Sequence, residues 1–225
     1  MPRPGGRYSL AVGIILLALI VVALVNTLGG DEEGILGVSE GDAGIPLAEF
    51  ALPDARGDLA GDANIFQDDC DTSENPCPED ARRPSACQVE VPSAIRVCDL
   101  FDRPLVISFW FTRFAECLPA QDVVDRVARR YRGRVNSLLI NVGDERDEVR
   151  RIIDERGWQV PVGHDPDGAV SNLYHVGGCP TVAFAYPGGI LQRAVISNSQ
   201  LTEERFTAAV ERLLAESRRR AATDR

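Results

Sequence analysis

Residues 105–120 read LVISFWFTRFAECLPA. From Leu105 to Trp110 the run is β-branched, aliphatic and aromatic, without polar alternation. That pattern marks a strand buried on both faces of a sheet. The apolar run gives way to a lone cysteine, Cys117, with a proline two positions later. Apolar residues then return at helical spacing as Val123, Val124, Val127 and Ala128. A strand, a short loop bearing a thiol and a helix place that thiol at a helix N-terminus. There, unpaired backbone N–H groups and the helix dipole stabilise a thiolate.

The 225 residues have room for one ordinary domain plus extensions. A formal charge of −10 argues against nucleic-acid binding, which needs clustered cations to neutralise phosphate. The chain has 24 basic residues, all of them Arg. Its six cysteines take their meaning from the compartment. Residues 9–28 are nearly all apolar and uncharged, about the ~20 residues a helix needs to cross a bilayer. Arg3 and Arg7 precede them, so residues 1–8 are expected in the cytoplasm and the remainder outside it, with the lipid bilayer as a partner. A cleaved signal peptide is the rival, but it usually has a shorter apolar core, and no Ala-x-Ala site lies near residues 26–30. Residues 29–45, rich in Gly, Asp and Glu, read as a flexible linker.

The folded domain is expected over residues 46–217. Within it, residues 68–102 are acidic and proline-rich and carry Cys70, Cys77, Cys87 and Cys98. These intervals lack the close cysteine pairs of structural zinc sites. Two disulfides of open connectivity are expected to staple the stretch instead. Beyond Cys117, a helix is expected over 121–132, a strand over 134–142, and a helix capped by Asp144 and ended by Gly157. An extended piece at 160–162, a turn at 165–168 and a short helix at 169–174 follow. Two strands joined by Pro187-Gly188-Gly189 suggest a hairpin. Thr202 is expected to cap a last amphipathic helix with Phe206, Val210, Leu213 and Leu214 inward. Residues 218–225 read as a frayed basic tail.

The Phe-Trp strand leading to a helix-start cysteine resembles the active-site segment of thioredoxin-like proteins. It is most similar to the membrane-anchored TlpA/ResA-type thiol–disulfide oxidoreductases, with the AhpC/TSA peroxiredoxin-like branch close behind. The order of elements agrees: βαβα, then a hairpin and a closing helix. The match spans about three-quarters of the chain. It implies an α/β thioredoxin-like fold, a central mixed sheet flanked by helices, here with an N-terminal transmembrane helix and a Cys-rich insertion. Residues 46–61 resemble the short N-terminal hairpin of the TlpA type. Gly178-Cys179-Pro180-Thr181 matches the family segment whose proline is cis and packs on the active-site thiols. The resemblance thus implies a cis Pro180 and a Cys179 beside the Cys117 loop.

The family's Cys-x-x-Cys is degenerate here. Counted from Trp110, its two cysteines fall on Phe114 and Cys117; in a second register they fall on Cys117 and Ala120, which the first-turn Pro119 favours. Ser108 stands where thioredoxin has a buried acid. Cys117, Cys179 and Pro180 are the candidate catalytic residues, with no cofactor and no metal. His164, in Gly-His-Asp-Pro-Asp-Gly, makes a poor metal site, and His175 could serve Cys117 as a base. Three readings stay open. The leading one is exchange with protein thiols or disulfides, Cys117 attacking and Cys179 resolving. The second is reduction of small peroxides through a Cys117 sulfenic acid. The third is an inactive binding or structural scaffold.

Overall fold

The run at Leu105–Trp110 (β3) is the middle strand of a five-stranded sheet, and all six of its residues are buried. The computed structural model describes residues 44–59, 86–88, 90–114, 116–196 and 201–223. Before β3 lie β1 (Ala51–Pro53) and β2 (Ala94–Arg96). After it come α1 (Cys117–Arg130), β4 (Asn136–Val142), α2 (Arg146–Arg156), β5 (Val162–Asp165), α3 (Ala169–Leu173), β6 (Thr181–Tyr186), β7 (Ile190–Ile196) and α4 (Glu203–Thr223). The sheet order is β5-β4-β3-β6-β7. β3, β4 and β5 are parallel, whereas β6 and β7 run antiparallel to their neighbours.

Period-two alternation explains why β3 must be apolar throughout. Val106 and Trp110 face a core shared with Val124 and Val127 of α1, Ile153 of α2, and Phe206 and Leu213 of α4. Leu105, Ile107 and Phe109 face a second core, built with Phe50, Leu52, Val97, Val170 and Tyr174. Three long helices thus cover one face, and the β1–β2 ribbon with short α3 covers the other. Trp110 meets Trp158 edge-on with ring centroids 5.1 Å apart, and Tyr174 lies against both Phe50 and Phe109.

Several sequence expectations are corrected. β1 does not close a local hairpin: it pairs antiparallel with β2, more than forty residues on and inside the expected insertion. Gly44 and Ile45, expected as linker, already hydrogen-bond to Leu191 of β7. Residues 218–223, expected as a frayed tail, continue α4 to Thr223. The apolar spacing stops at Leu214, but Arg220 still stacks 4.4 Å above the Tyr186 ring. Asp144 does not cap α2; Glu145 occupies that position. The bounding glycine is as expected, since Gly157 ends α2 in the left-handed region at φ 66°.

Within the insertion, Cys87 pairs with Cys98, their Cα atoms 5.7 Å apart. The segment around Cys98 is tied down by Val97 N–H to the Phe50 carbonyl and by Asn136 Nδ2 to the Leu100 carbonyl. Cys70 and Cys77 lie outside the described residues. So do residues 9–28, the expected anchor; among the described residues no helix is long and apolar enough to cross a membrane.

Candidate active site

β3 delivers the chain to the C-terminal end of the central strands, where residues 111–114 and 116 precede α1. One carboxylate fixes that stretch: Asp144 accepts from Thr112 N at 2.9 Å and from Thr112 Oγ1 at 2.6 Å. Asn141 Nδ2 donates to the same side chain at 2.7 Å. Phe111 is nearly buried, Phe114 is 55% exposed, and their rings are 5.4 Å apart. Cys117 is the first residue of α1, and the Glu116 side chain makes no capping bond there. Pro119 falls in the first turn, where its missing N–H costs nothing. Although α1 covers one core, Cys117 itself is packed into the other, because the helix start overhangs the end of β3.

Cys179 arrives from the far side of the sheet. α3 is held by the buried Asp165 carboxylate, which accepts from Val170 N at 3.2 Å and Ser171 N at 2.8 Å. Burial pushes the Asp165 carboxyl up to about 6 against those two hydrogen bonds. From α3 the chain runs through Val176, whose N–H bonds the Ser171 carbonyl, to a cis Cys179–Pro180 peptide. Thr181 then pairs opposite Phe109 on β3. The Cα atoms of Cys117 and Cys179 are 5.5 Å apart and the two sulfurs are bridged. Pro180 is buried beside them.

The polar surroundings hold few groups that could move a proton. Ser108 is fully buried and its hydroxyl has no hydrogen-bond partner among the described residues. His164 Nε2 is engaged by the Asp144 carbonyl oxygen at 2.9 Å, and His175 is exposed. Gln121, one turn after Cys117, is fully buried and its Nε2 donates to the Phe109 carbonyl at 3.4 Å. The Sγ of Cys179 lies 3.9 Å from that same oxygen. Chemically, this is a disulfide between a helix start and a strand approach, in apolar surroundings, with a carbonyl beside one sulfur. Away from it, Glu49, Cys87 and Cys98 have metal-ligand spacing among the described residues, but both sulfurs are committed to their bridge.

Asp144, Gln121 and Asp165 were not legible as site residues. Asp144 follows a strand and precedes a helix, so its residue type fits a cap as well as a clamp. Gln121 carries a signal in hindsight: a polar residue four positions from Cys117 on the apolar face of α1.

No family model matches the chain. Thiol-disulfide oxidoreductase ResA of Oceanobacillus iheyensis is 27% identical over 104 residues, covering 46% of this chain and 54% of that relative. The chain therefore matches about half the length of this curated relative. A structure from Chlorobium tepidum, assigned as thiol:disulfide interchange protein DsbE, superposes with a TM-score of 0.56 at 14% identity, covering 77% of this chain and 98% of that one. Peroxidoxin BcpB of Mycobacterium tuberculosis superposes with a TM-score of 0.51 at 15% identity, covering 79% and 96%. At these identities the structural likeness is one of fold. The chain has a thioredoxin-like fold, shared with structures that include a thiol:disulfide interchange protein and a peroxidoxin, and over about half its length it is similar to a thiol–disulfide oxidoreductase.

Proposed function

We propose that this protein performs thiol–disulfide exchange on protein substrates outside the cytoplasm, with Cys117 and Cys179 as its redox couple. The observation that carries the reading is the bridge itself. It joins two cysteines 62 positions apart at the junction of β3, α1 and β6, with Cα atoms 5.5 Å apart. A thiolate released at Cys117 would sit at the start of a fourteen-residue helix, which stabilises it and makes it a good leaving group. The similarity to ResA supports the same chemistry.

Peroxide reduction fits less well, since the Cys117 side chain is fully buried. Assays of disulfide reduction and of peroxide consumption on the full chain separate the two. Cys117→Ser and Cys179→Ser are each expected to abolish reduction of a protein disulfide. Retention of full activity in either would defeat the couple, and peroxide consumption alone would favour the peroxidase. Anchoring through residues 9–28 belongs to the same proposal, supported by their apolar length. Protease treatment of intact cells should release the domain from its membrane stub; a mature chain starting near Asp31 and found free in the medium would contradict anchoring.

A further inference from the structure

The two sulfurs of the bridge are not equivalent. Cys117 is fully buried, whereas Cys179 is only partly so. An incoming thiolate must reach one sulfur along the S–S axis, and of the two residues Cys179 is the one with surface exposed to solvent. Electrostatics divide them in the same sense. Cys117 lies where helix N–H groups favour negative charge. Cys179 Sγ lies 3.9 Å from the Phe109 carbonyl oxygen, a neighbour that favours S–H and opposes S⁻. Gln121 Nε2 donates to that oxygen too and holds it in place.

Resting on the exchange reading above, we propose that the substrate thiolate attacks Cys179 and that Cys117 is the leaving group. This reverses the order expected from the sequence. In the first step an S–S bond forms between substrate and Cys179 Sγ as the Cys117–Cys179 bond breaks, its electron pair remaining on Cys117. In the second, another substrate thiolate attacks the substrate sulfur of the mixed disulfide. The substrate disulfide forms, and Cys179 leaves and takes a proton from solvent, its S–H then facing the Phe109 carbonyl oxygen as a weak hydrogen-bond donor. The substrate dithiol loses two electrons and the protein gains them. Run backwards, the same intermediate on Cys179 serves reduction of a substrate disulfide, with Cys117 displacing the substrate.

The test reacts the oxidised full-length chain with excess glutathione, quenches with acid, alkylates free thiols and maps the adduct by mass. With Cys117 as the better leaving group and Cys179 the more exposed residue, the adduct on Cys179 should exceed that on Cys117 several-fold. An adduct mainly on Cys117 overturns this order of attack and leaves exchange standing. A bridge that yields no adduct on either sulfur overturns both. As a second measurement, reduced Cys117→Ser should form a mixed disulfide with glutathione disulfide faster than Cys179→Ser does. The opposite ranking, in variants whose circular dichroism is unchanged, contradicts the proposal.

Discussion

Asp144 holds Thr112 at two points, its backbone N–H and its hydroxyl, and through them it fixes the loop that carries Cys117. A carboxylate accepting from both sets the angle at which the chain leaves β3 and enters α1. Asp144→Ala should destabilise the fold by roughly 1–3 kcal/mol, the range for a lost charge-assisted pair at a partly exposed site. It should also slow exchange at the bridge more than Thr112→Val, which keeps the backbone bond. Thermal melts and exchange rates check this; an Asp144→Ala protein with unchanged rate would show that the loop is held elsewhere.

The hairpin between β6 and β7 contains two adjacent left-handed glycines of different surroundings. Gly188 has φ 82° and open space around a built Cβ, whereas Gly189 has φ 72° and would place a Cβ 2.6 Å from the Phe101 ring. Gly188→Ala should therefore cost about 1–2 kcal/mol for the conformation alone. Gly189→Ala should cost that plus about 1–3 kcal/mol of overpacking against Phe101. Equal losses in urea melts would mean that Phe101 moves aside freely.

Asp165 makes stability depend on pH in an unusual direction. Its carboxyl is raised from 3.8 to about 6 by burial, so the folded chain binds a proton that the unfolded chain has already released between those values. Its contribution is full below pH ~4, falls as pH rises through ~6, and then levels, a total of roughly 2–3 kcal/mol. Asp165→Asn should flatten that slope in denaturant titrations between these pH values. An unaltered slope would assign it to other groups.

What the sequence made legible follows from what its patterns encode. α1, α2 and α4 declare themselves because each buries an apolar face of definite period, as Val149, Ile152 and Ile153 do on α2, and β3 because its run is apolar on both faces. The Cys117–Cys179 juxtaposition was foreseeable only through a resemblance, since nothing local in either segment refers to the other. β1 and β2 were illegible as partners because three-residue strands carry almost no periodicity and the insertion hides their register. Gln121 and Asp144 act through hydrogen bonds to backbone or loop, which leave no period to read.

With Cys87 and Cys98 paired, the two-bridge expectation for the insertion leaves Cys70 and Cys77 as partners of each other. Peptide mapping without reduction should recover both pairs. Removing the Cys87–Cys98 bridge as a double serine variant should cost about 3 kcal/mol by loop closure. Crossed connectivity, or Cys70 and Cys77 both free, would contradict this arrangement.

The reduction potential of the Cys117–Cys179 bridge tests the central claim most directly. It is measured by equilibrating the full chain with thiol–disulfide buffers, alkylating, and weighing the peptides that contain the two cysteines. A working exchange couple should titrate between about −120 and −270 mV, the span of known exchange proteins. A bridge that stays closed until below about −300 mV would be a structural staple, and the exchange account would fall with it.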